Sequence, residues 1–224
     1  MQLEASSSTV DSGAVSLEEA LALVDKQGVH ARRVLWASNA ACYCGGMAGA
    51  MSPFLMGPLT DEGGYSEWAV AALASSVFAG MWVGSVAGGL LSDAIGPGRV
   101  MVLMVVLVGL AGAAPALLPT LAICARFLVG LSLCAIYQAA NTYVAESVVA
   151  ERRSTYLSML HAAIALGGLT TTLLAVGLQA SGNWRLLLLL NSSPPLAVLL
   201  GGARFILRSE SPRWLLVSGR PGAW

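Results

Sequence analysis

Five polar side chains that could bind a solute interrupt long apolar stretches of this 224-residue sequence: Arg126, Tyr137, Gln138, Asn141 and His161. Tyr137 and Asn141 are four residues apart and Gln138 and Asn141 are three apart, so on a helix these side chains are neighbours. Hydroxyl, amide and imidazole groups donate and accept hydrogen bonds, and a guanidinium group donates them. No nucleophile motif accompanies His161. The set predicts binding rather than catalysis, and we do not expect an enzyme.

The composition indicates that these side chains lie in a membrane protein. Hydrophobic residues make up 56% of the chain and charged residues 11%, and the mean hydropathy is +0.73. A soluble domain carries roughly a quarter charged residues. The formal net charge is zero, which leaves no basic excess to attract nucleic acid. The four cysteines lie in apolar segments without metal-ligand spacing, so we expect neither a metal nor a cofactor.

Six apolar stretches are long enough to cross the roughly 30 Å hydrocarbon layer of a bilayer. They are about twenty residues long and lack the alternation of a barrel strand, so we expect helices. The fold class predicted is an all-α membrane protein with a six-transmembrane-helix bundle. The predicted spans cover residues 34–56, 67–93, 100–118, 119–144, 155–178 and 186–205, and Pro115 and Pro119 mark the turn between the third and fourth.

The distribution of basic residues predicts that both termini are cytoplasmic, because cytoplasmic loops carry an excess of Lys and Arg. The outer side then holds only Arg185 near the span ends. The basic residues inside are Lys26, Arg32, Arg33, Arg99, Arg152, Arg153, Arg204, Arg208, Arg213 and Arg220. The chain divides into a cytoplasmic tail with a short amphipathic helix (1–30), the bundle (31–207) and a cytoplasmic segment (208–224).

Small and hydroxylated residues predict local packing. Gly80, Gly84 and Gly88 recur at every fourth position of the second span, a spacing that lets two helix backbones approach closely in lipid. We therefore expect tight contact between this span and a neighbour. The threonines at 170–172 in the fifth span are expected to bond to carbonyls of their own helix.

Three segments at the predicted cytoplasmic boundary combine acids with arginines. They contain Asp93 and Arg99 in the loop "GGLLSDAIGPGR", Glu146 with Arg152 and Arg153, and Glu210 with Arg213. Contacts between arginine and carboxylate are partly desolvated there, while water can still relieve unpaired groups. A network that forms and breaks at this boundary suits a gate, in which we expect Asp93 to pair with Arg152, with Arg153 or with a group outside this chain.

Five motifs occur in order and in register with the six spans. They are Gly89, Asp93, Gly96 and Arg99; Arg126 and Gly130 in "RFLVG"; Glu146 with Arg153; "NWR" at 183–185; and "ESPRWLL" at 210–216. With these motifs the sequence resembles the major facilitator superfamily of secondary transporters, most closely the branch of sugar porters, organic-ion transporters and synaptic-vesicle-related proteins. The resemblance implies half of a twelve-helix fold, facing a second bundle across a substrate cavity. The expected partner is the missing C-terminal six-helix half or a second copy.

The sequence departs from the family pattern at two places. Ala94, Pro97 and Gly98 stand where the family has basic residues, so the resemblance implies a weaker cytoplasmic latch. The stretch "CYCGGMAGAMSP" has no carboxylate where many proton-coupled relatives carry one, so we do not expect proton coupling through an acid in the first span. His161 falls where sugar-transporting relatives have a substrate-binding glutamine.

Each candidate site residue has two interpretations. An arginine at the centre of a membrane helix costs about 2.5 to 3.5 kcal/mol on insertion scales. Arg126 therefore either pairs with an anionic group of the substrate, or snorkels outward or caps backbone carbonyls. Tyr137, Gln138 and Asn141 either face a wet cavity or form ordinary interhelical hydrogen bonds. His161 either binds substrate, with a titration near neutral pH, or is hydrogen-bonded between helices.

The function predicted is secondary-active transport of a small polar or ionic organic solute across the lipid bilayer by alternating access, with this chain as the N-terminal half. The alternative is a non-transporting, truncated membrane protein that acts as a binding or assembly partner.

Overall fold

The computed structural model describes residues 29–61, 64–178, 183–208 and 214, and this part of the chain is all-α. Its elements are α1 (Val29–Ala50), α2 (Ser52–Asp61), α3 (Glu67–Ile95), α4 (Pro97–Leu117), a 3₁₀ turn (Pro119–Leu121), α5 (Ala122–Ser147), α6 (Ala150–Leu178) and α7 (Trp184–Arg208). The predicted tail lies outside the described residues up to position 28, with its amphipathic helix, and its last two residues belong to α1.

Four of the described helices are long and apolar enough to cross a membrane: α3, α4, α5 together with the preceding 3₁₀ turn, and α6. Large apolar side chains on these helices point outward, as Trp82 (76% exposed) and Leu173 (62% exposed) do. Exposed apolar surface of this kind is stable in hydrocarbon and costly in water. The chain is an integral, multi-pass membrane protein, and the count of six spans stays a prediction.

The first predicted span is interrupted, which the sequence analysis did not anticipate. It forms α1 and α2, which are separated by a turn at Met51. Pro53 explains the break, because in a continuous helix proline has no N–H to donate to the carbonyl of Gly49, four residues earlier, and its ring clashes with that carbonyl. The amide of Met51 instead bonds to the carbonyl of Ala48 at 3.4 Å, in a tighter turn than an α-helix has. The last carbonyls of α1 therefore need partners from elsewhere.

The predicted loop between the second and third spans is almost entirely helical, which corrects the sequence-based expectation. Helix α3 continues past Asp93 to Ile95, and α4 begins at Pro97. Only Gly96 separates them, with a φ of +96° that favours glycine. Proline is well suited to the first position of a helix, where its missing N–H is not needed. The corner is therefore a single residue.

The prolines near the next turn act differently from each other. Pro115 lies inside α4, which continues to Leu117, so it does not mark the turn as predicted. Pro119 opens the 3₁₀ turn before α5. The hydroxyl of Tyr65 donates to the carbonyl of Pro119 at 2.6 Å, which fixes this turn against the start of α3.

Glycines determine which helices pack most closely, and the tight contact predicted for the second span is confirmed. A Cβ on Gly80 or Gly84 would overlap carbonyl oxygens of α5, and one on Gly88 would lie 2.8 Å from the Cα of Ala135. A second close approach joins α1 to α6, where a Cβ on Gly46 would overlap the carbonyl of Ile164. Side chains on either crossing would force the backbones apart.

Two apolar clusters make up the described core. One joins α1, α4, α5 and α6, and the other gathers the α1–α2 break, α2 and the first turns of α7 at the opposite end of the bundle. Polar groups that lie between these clusters must therefore bond to each other or to backbone.

Candidate functional site

Tyr137 and His161 form a polar pair on the exposed side of α5 and α6. The Tyr137 hydroxyl and the Nε2 atom of His161 are hydrogen-bonded. The two rings meet edge to face, with their centroids 5.3 Å apart. The Nδ1 atom of His161 lies 3.0 Å from the carbonyl oxygen of Leu157, one turn earlier in α6. Tyr137 is half-buried and His161 is exposed, so the pair is open on one side.

The two amide residues lie beside this pair on α5. Gln138 is exposed, and Asn141 is half-buried and donates from Nδ2 to the carbonyl of Tyr137 at 2.7 Å. The structure thus brings Tyr137 and His161 together across two helices, with Asn141 bonded to the backbone of Tyr137 and Gln138 following Tyr137 in sequence. Exposed polar groups at mid-membrane depth are costly in lipid, which favours a face that lines a cavity.

An apolar groove of about 520 Å³ adjoins the pair. It is bounded by the end of α1 and by α2, α3, α5 and α6, and its lining includes Gly46, Gly49 and Gly168. Leu133 and Ile164 line it one helical turn from Tyr137 and His161, respectively. The volume falls within the roughly 300–1,000 Å³ range of small-molecule sites, which are largely apolar with a few placed polar groups.

Arg126 is placed apart from the other four candidates and is completely buried. It precedes Tyr137 by eleven residues on α5, about 16 Å along the helix axis. Its Nη1 donates to the carbonyl of Ala48 at 3.3 Å, and its buried Nε has no hydrogen-bond partner within the described part of the chain. The guanidinium thus caps a carbonyl at the end of α1, where the helix dipole favours a cation.

A second side chain reaches the neighbouring carbonyl of the broken helix. The hydroxyl of Thr171 on α6 donates to the carbonyl of Met47 at 3.0 Å and accepts a 2.7 Å bond from Nδ2 of Asn191 on α7. Arg126, Thr171 and Asn191, with the carbonyls of Met47 and Ala48, are called the α1-end cluster below. All three side chains are buried, so the cluster fastens three helices to the end of α1.

The α1-end cluster corrects the expectation for Thr171. It also contains Asn191, which the sequence analysis did not identify. Thr170 and Thr172 bond to carbonyls of their own helix as predicted, but the same prediction is wrong for Thr171. Asn191 was not singled out, although an amide in the apolar run "LLLLLNSSPPL" is a signal of a buried partner. Pro53 is the corresponding signal in the first span, because proline predicts a break in the helix and the carbonyls at a helix end need such partners.

The acid and arginine residues of the predicted gate lie at the ends of helices. Asp93 and Arg99 flank the corner between α3 and α4, Glu146 is near the end of α5, and Arg152 and Arg153 are in the first turn of α6. Arg153 donates to the carbonyl of Val148 at 3.5 Å. Glu210 and Arg213 lie outside the described residues.

Trp214 contacts this corner and was not predicted. Its Nε1 donates to the carbonyl of Asp93 at 3.0 Å, and the guanidinium carbon of Arg99 lies 5.6 Å from its ring centroid. The backbone of Asp93 thus contacts the segment after α7, and the pairing of its carboxylate stays a prediction. The signal was the tryptophan inside "ESPRWLL", whose indole combines a ring face with an N–H donor.

No metal centre accompanies these sites in the ranges that the structure describes. No three His, Cys, Asp or Glu side chains there are grouped so that they could hold an ion. The candidate site is consequently a groove with a hydrogen-bonding pair at its edge.

Comparison with known proteins assigns this bundle to a family. Residues 27–221 match the family model described as "Sugar (and other) transporter". The chain belongs to this family, whose members are transporters and not enzymes.

Individual relatives agree with this assignment. The chain is 28% identical over 195 residues to the metabolite transport protein YaaU of Escherichia coli K12, covering 86% of this chain and 43% of that protein. It is 33% identical over 150 residues to organic cation/carnitine transporter 7 of Arabidopsis thaliana, covering 66% of this chain and 29% of the relative.

The fold is similar to that of the xylose transporter XylE from E. coli in a partially occluded, inward-open conformation. The TM-score is 0.73 at 20% identity, covering 87% of this chain and 53% of that structure. The chain spans less than half the length of the two relatives and about half of the solved structure.

Proposed function

We propose that the chain forms the N-terminal six-helix half of a transporter that moves a small polar or ionic organic solute by alternating access. Both termini are cytoplasmic, and the second half of the pathway is a C-terminal six-helix bundle or a second copy. Family membership and the XylE-like fold support this proposal, and so does the basic-residue bias across the predicted spans.

Solute binds on the open face of α5 and α6. Tyr137 and His161 contact it directly, and Gln138 and Asn141 extend the set of hydrogen-bonding groups along the same helix. The observation that carries this assignment is the Tyr137–His161 hydrogen bond on an exposed face beside a groove of about 520 Å³. A polar pair facing lipid would be costly, whereas one facing a wet cavity is not.

Arg126 holds the end of α1 in place and does not contact the solute. Its 0% exposure and its bond to the carbonyl of Ala48 support this role. Asp93, Arg99, Glu146, Arg152, Arg153, Glu210 and Arg213 form the cytoplasmic gate. Their helix-end positions, where the described members lie, favour charge pairs that form and break as the halves rock.

Two observations test the proposed function. The first is the reading frame of the gene beyond the codon for Trp224, where six further spans would establish a complete twelve-helix pathway. The second is solute uptake by liposomes that carry the protein, compared with liposomes that carry a Tyr137→Phe variant. Uptake that exceeds empty liposomes and falls in the variant supports the proposal. No uptake with either the chain or its full-length form would indicate a binding or assembly partner instead.

A further inference from the structure

The hydrogen bonds of His161 determine which of its nitrogens carries the proton. Its Nδ1 lies 3.0 Å from the carbonyl oxygen of Leu157, which can only accept a hydrogen bond, so Nδ1 must donate. A neutral imidazole has one N–H, and the lone pair of Nε2 therefore accepts from the Tyr137 hydroxyl. When His161 is neutral, the hydroxyl of Tyr137 thus donates its hydrogen bond to His161.

Protonation of His161 reverses this hydrogen bond. A proton taken from water forms a new N–H at Nε2, which then donates to the phenolic oxygen of Tyr137. The O–H of Tyr137 is no longer occupied and can rotate to donate to another acceptor. One bound proton therefore gives the open face one positive charge and one free hydroxyl donor, and loss of that proton to water removes both.

The charge of the surrounding helices favours an anion as that acceptor. Every carboxylate that the structure describes lies in a terminal turn of its helix: Asp61, Glu67, Asp93, Glu146 and Glu151. The membrane-embedded turns of the described helices therefore contain the Arg126 guanidinium with no carboxylate to balance it. Protonated His161 adds a second positive charge, and a bound carboxylate compensates for part of this excess.

Other titratable and charged groups lie on α6 and on the helices that pack against it. Those described on the membrane-embedded turns of α1 and α5, which pack against α6, are Cys42, Tyr43, Cys44, Arg126, Cys134, Tyr137 and Tyr143. Toward the helix ends lie further titratable or charged groups: His30, Arg32 and Arg33 on α1, Glu146 on α5, Glu151, Arg152, Arg153 and Tyr156 on α6 itself, and Arg185, Arg204 and Arg208 on α7. Imidazole groups change charge between about pH 5 and pH 8, whereas phenols and thiols titrate above that range.

We infer that the Tyr137–His161 pair is a proton-responsive site for a small hydroxylated carboxylate, which binds together with one proton on His161. This inference rests on the proposed function, because it names the substrate class of the same site. The carboxylate accepts from the freed Tyr137 hydroxyl, and the exposed amide of Gln138 bonds to hydroxyl groups of the solute. The anion binds more tightly as the pH falls.

The test uses nitrogen NMR of the full chain in lipid nanodiscs, with ¹⁵N-labelled histidine. The sequence has two histidines, so a His30→Gln background leaves only the signal of His161. The pH is varied from about 8.5 to about 5, across the range in which imidazoles titrate. The probes are D-glucuronate and D-glucose, which share a ring and differ in carrying a carboxylate or a hydroxymethyl group.

We expect the Nδ1–H tautomer at high pH and both nitrogens protonated at low pH. D-glucuronate should move the midpoint upward by about one pH unit, because a hydrogen bond to a charged group changes affinity about tenfold. D-glucose should leave it in place. An Nε2–H tautomer at high pH, an equal effect of the two sugars, or no effect of D-glucuronate would each overturn the inference.

Matched variants separate the pair from general structure. Tyr137→Phe removes the hydroxyl and should abolish the effect of D-glucuronate, while Tyr43→Phe makes the same change on α1 and should preserve it. His161→Gln keeps hydrogen-bonding capacity without titration, so its affinity for radiolabelled D-glucuronate should not change with pH. A pH-dependent affinity in His161→Gln would contradict the inference. This measurement remains informative even if the Tyr137→Phe variant does not fold.

Transport measurements distinguish failure of this inference from failure of the proposed function. Uptake of D-glucuronate that is independent of pH would overturn the inference and leave transport standing. The expected tautomer and titration, with no uptake of any solute, would support the proton-responsive site and contradict transport.

Discussion

The α1-end cluster and the Tyr137–His161 pair are both polar regions in an apolar bundle, but their hydrogen bonds leave different groups available. In the cluster, Arg126 and Thr171 donate to two consecutive carbonyls of α1, and all of its side chains are buried. In the pair, the two side chains bond to each other on an exposed face. We propose that the cluster stabilises the fold and that the pair exchanges its partner for a solute.

This difference shows that residue type alone does not identify a binding group in a membrane helix. The charged residue with the highest expected cost of insertion, Arg126, is used to satisfy backbone that a proline broke. The neutral or titratable residues of the pair are the ones that face open space. The following experiments test this division, and they are arranged from the largest expected effect to the smallest.

Substitution of Gly46 should have the largest effect, because this residue lies at the α1–α6 crossing beside the α1-end cluster. A valine at Gly46 would overlap the backbone of Ile164, and that overlap cannot be relieved by a side-chain movement. We expect at least about a tenfold loss of monodisperse protein, measured by size-exclusion chromatography in detergent. Gly89→Val is the matched control, since nothing lies within 4 Å of a Cβ at that position. Equal yields for the two variants would show that the crossing is not tight.

The Tyr137→Phe variant should lower solute binding without lowering stability. Loss of one hydrogen bond to a charged or polar solute is expected to weaken binding by about tenfold. The unfolding free energy should change by no more than about 0.5 kcal/mol, because the site is open. Radioligand binding and thermal unfolding measure the two quantities. A large drop in stability with unchanged binding would show that the pair stabilises the fold and does not bind the solute.

The α1-end cluster should show the opposite behaviour. A double-mutant cycle of Thr171→Val and Asn191→Leu should give a coupling energy of about 0.6 to 1.7 kcal/mol, as found for hydrogen bonds between membrane helices. Reversible unfolding in mixed detergent measures this energy, and solute affinity should stay unchanged. Ser193→Ala serves as the control, because this exposed hydroxyl bonds only within α7 in the described structure. Additive effects of the two mutations would contradict the proposed coupling.

The smallest effect is expected at the helix corner, where water competes with the protein groups. A cycle of Trp214→Leu and Arg99→Leu should give about 0.5 to 1 kcal/mol, the range for exposed cation–π contacts. Unfolding in the same detergent system provides the comparison with the cluster. A coupling energy larger than that between Thr171 and Asn191 would show that the contacts at the helix corner stabilise the bundle more than those at the end of α1.

Sequence patterns predicted much of the packing but not the details that separate the two regions. The spacing of Gly80, Gly84 and Gly88 was sufficient to predict a close crossing, because it follows from helix geometry alone. The break at Met51 and the capping of Ala48 by Arg126 depend on where three helices meet. That arrangement is set by tertiary packing, and the local sequence does not encode it directly.

The candidate site could likewise be predicted only in part from the sequence. Tyr137 and His161 were singled out separately, and only the structure shows that they bond across two helices. Helical spacing links Tyr137 with Asn141 on one element, but it carries no information about pairs on different elements. Trp214 reaches Asp93 across 121 positions of sequence for the same reason.

The central claim is that the face carrying the pair is wet, whereas the α1-end cluster is dry. Labelling with a membrane-impermeant maleimide tests it most directly, because a thiol reacts as the thiolate and ionises poorly in hydrocarbon. Single cysteines are placed at Gln138, at Thr171 and at the exposed apolar residue Trp82 in a background without the four native cysteines. We expect labelling at position 138 to be at least about tenfold faster than at 171 and 82. Equal rates at 138 and 82 would mean that the pair faces lipid, which would overturn the proposed site.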